Sequence, residues 1–323
     1  MPTNLPPEYF SAEERLKQAK SYAEKIAALE ALIATVPKHK GTDKLRADLR
    51  RKLSSLREDS LKKSKAGKSA LYNVEKQGAS MAALAGFPNS GKSSILASLT
   101  NANPIIADYP MSTLLPLSGM MPFEDILIQL VDLPPIGNES TDGWVSGIFR
   151  QADLIIIVVD LSEDPEIQAE LILEEFQKWR IALLRKDSPD KSHKPTIITA
   201  NKIELNGSKK RFEDLKNIYK NSYPVIGVSA KTKEGLEELR RSLFENSRII
   251  RVYSKEPGKD PDIHTPFVLP EGSKVVELAS QIHKEFLERF QYACVWGSAK
   301  YAGQRVQKDY IIRDRDIVEI HLK

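Results

Sequence analysis

Gly86-Phe87-Pro88-Asn89-Ser90-Gly91-Lys92-Ser93 sets two glycines four residues apart, then a lysine and a hydroxyl residue. That spacing is the phosphate-loop pattern: glycines let the backbone curl so that its N–H groups face a phosphate, and a helix opening at the lysine adds its positive end. The apolar run Met81–Ala85 precedes it and a helical pattern follows, which is the strand–loop–helix context the pattern needs. Lys92 is expected to bridge the β- and γ-phosphates, Ser93 to offer its hydroxyl to Mg²⁺, and Ser94 to complete the contact set.

Outward from the loop, the runs Ile126–Val131, Leu154–Val159, Thr196–Thr199 and Val225–Val228 read as further buried parallel strands. Between them, Pro165–Arg185 predicts a crossover helix with Ile167, Leu171, Ile172, Phe176, Trp179 and Leu183 on its inner face. The alternation implies an α/β, doubly wound sheet. Asp132, at a strand end, is placed to hold a metal through water. Asn201-Lys202-Ile203-Glu204 follows the fourth strand and resembles the guanine-reading motif asparagine-lysine-x-aspartate, and Ser229-Ala230-Lys231 resembles the loop that closes over the base. A carboxylate at position 204 accepts from guanine N1 and N2, donors that adenine lacks.

Upstream, Ser11–Val36 predicts a helix with Leu16, Ala19, Tyr22, Ala23, Ile26, Leu29 and Ile33 on one face, and Thr42–Leu61 a second with Leu45, Leu49, Leu53 and Leu56. A helical hairpin is the expected arrangement. Lys38, Lys40, Lys44, Arg46, Arg50, Arg51, Lys52 and Arg57 in and before the second helix, with Lys62, Lys63, Lys65 and Lys68 after it, would attract a polyanion such as RNA, or simply form a solvated face. Downstream of Ile249, a helix over Val275–Phe290 and the alternating Ile317–Ile320 predict a small α+β domain. The expected division is 1–79, 80–248 and 249–323.

The net charge of +4 is too small to imply nucleic acid by itself, and the chain lacks the roughly 18-residue apolar stretch a membrane span needs. Met1–Phe10 shows neither a basic leader nor an apolar run, so the expected compartment is the cytoplasm. The single cysteine, Cys294, excludes an internal disulfide and reads as a small core residue.

Taken together, these motifs resemble the Obg-like branch of translation-associated GTPases, most closely the developmentally regulated GTP-binding proteins. The resemblance implies a P-loop GTPase domain between an N-terminal helical hairpin and a C-terminal ubiquitin-like (β-grasp) TGS domain. Leu269-Pro270-Glu271-Gly272-Ser273, the helix through Ile282-His283, and Val295-Trp296-Gly297 carry the last. It also implies GTP and GDP as ligands, and a ribosome or structured RNA as partner. Tyr109-Pro110-Met111-Ser112-Thr113-Leu114 resembles the first switch, with Thr113 reaching Mg²⁺ and the γ-phosphate, and Pro37-Lys38-His39-Lys40-Gly41-Thr42 resembles the family's basic N-terminus. His283 is expected on a helix surface or in the core rather than on a metal, and Trp296 as a packing or contact aromatic. Three departures stand out. Asp132-Leu133-Pro134-Pro135 puts proline where the second switch has glycine, removing an N–H that would sense the γ-phosphate, and Ile136 stands where many GTPases orient water with glutamine. In similar GTPases a phosphate-loop asparagine helps bind K⁺, a role open to Asn89. Glu204 replaces aspartate, and Asp160–Pro195 is too short for the insert usual in this family. A nucleotide-binding adaptor that scarcely hydrolyses is therefore the rival expectation.

Overall fold

A computed structural model describes residues 22–36, 48–49, 51–54, 74–100, 115–137, 142–186, 190 and 192–322. The chain divides into two compact units, Met1–Asn73 and Val74–Lys323.

In the first unit, helix α1 (Tyr22–Thr35) buries Leu29 and Leu32, with Val36 just beyond its end, against Ile33 and against Leu49 and Leu53, which lie in the helical residues 48–49 and 51–54. Leu32 adds to the expected stripe: like Ile33 it lies three or four residues from Leu29 and Val36, and it is the more deeply buried of the two. Leu16, Leu45, Leu56 and most of the lysines lie outside the described residues.

The second unit contains two sheets. The first has the order β2-β3-β1-β4-β6-β5, with β7 also on β6. Its strands are β1 (Ser80–Ala85), β2 (Leu117–Phe123), β3 (Ile126–Asp132), β4 (Leu154–Asp160), β5 (Leu183–Leu184), β6 (Lys194–Asn201) and β7 (Val225–Gly227). All pairings are parallel except β2–β3. β1 and β4 are buried along their whole length, because alternate residues serve opposite faces. Met81, Ala83, Ile155 and Ile157 pack with helices α3 (Asp142–Gln151), α4 (Pro165–Lys178) and α5 (Ser208–Tyr219). Ala82, Leu84, Ile156 and Val158 pack with α2 (Lys92–Leu99) and α6 (Leu236–Asn246). Continuous apolar strands with helices on both sides are what a parallel sheet requires.

β2 was not expected as a strand; Pro122 and Gly119 disguise it, and both are tolerated because it is an antiparallel edge. The crossover helix is shorter than its pattern. α4 ends at Lys178, Leu183 belongs to β5, and the buried positions are Pro165, Gln168, Ala169, Ile172 and Phe176, while Ile167 and Leu171 are exposed. This helix and the two-residue strand are the regular elements described between Asp160 and Lys194.

The second sheet runs β11-β10-β12-β8-β9, with β8 (Ile249–Lys255), β9 (Phe267–Pro270), β10 (Phe290–Trp296), β11 (Gln304–Val306) and β12 (Asp316–Leu322). Helix α7 (Val275–Ile282) covers one face through Val275, Leu278 and Ala279. The single helix expected over Val275–Phe290 is broken at His283, whose backbone is extended and whose Nδ1 accepts from Glu285 N, starting α8 (Lys284–Arg289). His283 is exposed. Cys294 corrects another expectation: Ala293 and Val295 take the core positions of β10, so the strand's alternation turns Cys294 to the opposite face, half-buried.

Candidate nucleotide site

The chain leaves β1, whose neighbours β3 and β4 lie on opposite sides, so the loop after it emerges where the strand order reverses. Residues 86–92 form that loop and line the crevice that opens at such a reversal. Gly91 has φ 91°, and a Cβ there would meet Asn201 Nδ2 at 2.0 Å; a Cβ on Gly86 would meet Val158 O at 2.6 Å. The two glycines thus let the loop press against β4 and the end of β6. Asn89 sits exposed on the loop with φ 60°, Pro88 beside it is exposed, and Phe87 is half-buried. Ser90 is buried, its hydroxyl donating to Phe87 O at 3.0 Å.

Lys92 opens α2 and is buried, its ammonium donating to Gly86 O at 2.9 Å and Phe87 O at 3.0 Å. Burial lowers its pKa to about 8, against the pull of Asp132 in the other direction. Asp132 is fully buried at the end of β3, and burial raises its pKa, opposed by Lys92 and by the hydroxyl of Ser93. Ser93 Oγ donates to Asp132 Oδ2 at 2.5 Å, while Asp132 Oδ1 has no hydrogen-bond partner. Ser94 is half-buried, its carbonyl accepting from Ser98 Oγ at 2.8 Å.

At the other end of the crevice, buried Asn201 ties three loops together. Its Nδ2 donates to Ser90 O at 3.0 Å and its Oδ1 accepts from Ala230 N at 3.2 Å. Ser229 is buried and accepts from Thr232 N, and Ser98 Oγ reaches Ala230 O at 3.0 Å. Lys231 is exposed. Lys202, at φ 69°, forms an ion pair with Asp160. Glu204 is half-buried, and its Oε2 is buried without a partner. Among the described residues, the buried carboxylate oxygens that lack a hydrogen bond are Asp132 Oδ1 and Glu204 Oε2. Such oxygens are costly unless something else supplies a donor or a cation.

The structure therefore draws Gly86–Ser93, Asp132, Asn201 and Ala230 into one connected crevice. Thr113 and the rest of the expected first switch lie outside the described residues. Asp160 was missed as a partner for Lys202; the sequence shows only that it ends the apolar run Leu154–Val159, and its register with Asn201 of β6 belongs to the sheet. Pro134 is buried and Ile136 is 5% exposed, packed in the core near Leu133 and Val145, with its N–H on Gly86 O at 3.2 Å.

Comparison with known proteins agrees with this geometry. Residues 81–202 match a family model described as 50S ribosome-binding GTPase, and residues 250–322 match the TGS domain. The chain belongs to the Obg-like GTPases. It is 29% identical to an uncharacterized GTP-binding protein of Methanocaldococcus jannaschii, covering 93% of each chain. It is 27% identical to developmentally-regulated GTP-binding protein 1 of Xenopus laevis and 27% identical to protein 2 of Homo sapiens, in both cases over 92% of this chain and 98% of the relative. The alignment with the archaeal protein runs over 368 positions against a chain of 323, so that relative carries segments this Obg-like GTPase lacks. No helix among the described residues is long and apolar enough to cross a membrane.

Proposed function

We propose that this GTP-binding protein is a slow, Mg²⁺-dependent GTPase that works as a switch on the ribosome or structured RNA. The observation that carries the nucleotide chemistry is the pair of orphaned carboxylate oxygens, one on Asp132 beside the phosphate-loop residue Ser93 and one on Glu204, three residues after Asn201. Asp132 Oδ1, beside the Ser93 hydroxyl, suits a hydrated Mg²⁺, which Ser93, Thr113 and Asp132 (through water) would hold. When bound, Mg²⁺ neutralises phosphate oxygens. Glu204 Oε2 suits the N–H donors of guanine, while Asn201 and Lys202 shape the pocket and Ser229, Ala230 and Lys231 border the base. The N–H groups of Gly86 to Ser93 and the head of α2 suit the phosphates, with Ser94 nearby. Lys92 exchanges two carbonyl acceptors for phosphate oxygens, a stronger, charge-assisted interaction.

In this reading residues 1–79 and 249–323 are contact surfaces and 80–248 is the nucleotide domain. Asn89, exposed on the loop, helps hold a K⁺ that adds positive charge near the transferring phosphate. The adaptor reading also has an observation behind it: Ile136 is packed into the core and Pro135 has no N–H, so neither orients water nor senses the γ-phosphate. Hydrolysis of GTP and ATP in K⁺ and in Na⁺ decides between them. The GTPase reading expects GTP-selective turnover stimulated by K⁺ and lost in Asn89→Ala; tight guanine binding without turnover in either salt establishes the adaptor.

A further inference from the structure

The TGS sheet uses one face for its core, through Ile250, Val252, Ala293, Val295, Val318 and Ile320. Alternation sends the intervening residues to the other face. At the β8 end this face meets the nucleotide domain, where Arg251 and Tyr253 bind carboxylates of the β2–β3 turn. Toward β10 and β11 its character changes. Tyr292 and His321, directly opposite across β10 and β12, stack with centroids 4.4 Å apart and planes at 12°. On the β11 side the guanidinium of exposed Arg305 lies 3.7 Å from the Tyr292 ring centroid. Further along β10, the Lys255 ammonium lies 5.0 Å from the Trp296 ring centroid, while Gly303 backs the same indole so closely that a Cβ there would come within 3.1 Å.

We propose that this face binds single-stranded RNA, with Tyr292 and Trp296 as stacking platforms for unpaired bases and Arg305 as the cation that meets the phosphates. The inference deepens the RNA-switch reading and rests on it. A guanidinium over a phenol ring is a planar cation in the place a base would take; Arg305, on an exposed flexible arm, can leave the ring to the base and pair with the adjacent phosphate. Charge points the same way. Glu319, the acid on this face, is already engaged by Lys255 and His321, which leaves Arg305 without an opposing carboxylate in the group. The chemistry also favours nucleic acid over an apolar protein partner, since the platforms are aromatic rings topped by cations rather than aliphatic side chains. Single strands are required because a duplex hides its base faces.

The test uses the full chain, a fluorescein-labelled single-stranded RNA of about ten nucleotides and a duplex of the same length, at fixed salt. The single strand is expected to bind more tightly than the duplex. Tyr292→Ala should weaken it at least about fivefold, Arg305→Ala should weaken it as well, and Tyr292→Phe, which keeps the ring, should retain it, all with GDP affinity unchanged. Cys294, the single cysteine of the chain, lies between the two platforms on the same strand, so bound RNA should slow its alkylation by a maleimide. Single strand and duplex bound alike, with Tyr292→Ala, Arg305→Ala and Cys294 alkylation all unaffected, would overturn this face while leaving RNA binding to other surfaces. Binding of neither RNA would remove the RNA reading itself.

Discussion

Lys92 is a cation buried among backbone carbonyls, with a pKa brought down to about 8 from its ordinary 10.5. Between those values the unfolded chain holds a proton that the folded chain has released, so this group's contribution to stability rises with pH across the window. Nucleotide binding runs the other way. A polyphosphate requires the ammonium, so above pH 8 binding must take up a proton, and affinity should fall by up to about tenfold per pH unit. Calorimetry of GDP binding in two buffers of different ionisation enthalpy checks this: proton uptake near zero at pH 7 should climb toward one at pH 9, and no uptake at pH 9 would mean Lys92 does not contact the phosphates.

At the scale of elements, the second switch carries the clearest departure. Pro135 fixes its own φ and has no N–H to give, so Pro135→Gly should improve discrimination of GTP over GDP by about tenfold, the worth of one charge-assisted hydrogen bond. Equal ratios in the two proteins, measured by competition binding, would show that sensing resides elsewhere. How much was legible follows the physics of each element. The runs of β1, β3, β4 and β6 were readable because strands buried on both faces need unbroken apolar sequence, and the phosphate loop because its glycines answer to contacts at Asn201 and Val158. β2 was not, since an edge strand tolerates Pro122. The break at His283 was hidden as well, because one side-chain cap divides an otherwise continuous amphipathic pattern. Asn201's bridge between Ser90 and Ala230 joins residues far apart in sequence, which no local pattern encodes.

Across the whole Val74–Lys323 unit, Arg251 is the joint between sheets. Only 3% of its side chain is exposed; it binds Asp314 of its own domain at 2.8 Å and Asp125 of the β2–β3 turn at 2.9 Å, pairs with Glu124, and lies over Phe244 of α6 at 4.5 Å. Arg251→Ala leaves three carboxylates short of a partner and should cost about 3 kcal/mol of unfolding free energy, read by urea denaturation; a loss under about 0.5 kcal/mol would mark the joint as a weak surface contact. The β2 strand it grips at one end begins, at the other, opposite Asp132, so the TGS domain is fastened to the hairpin that flanks the nucleotide crevice. The central claim is that this crevice holds a guanine nucleotide between Asp132 and Glu204. Titration of the intact chain with GDP and ADP in Mg²⁺, repeated on Glu204→Gln and Lys92→Ala, tests it most directly. The account predicts tight GDP binding, no measurable ADP binding, a guanine preference reduced in Glu204→Gln and binding abolished in Lys92→Ala; equal affinity for the two nucleotides, or undiminished GDP binding by Lys92→Ala, would contradict it.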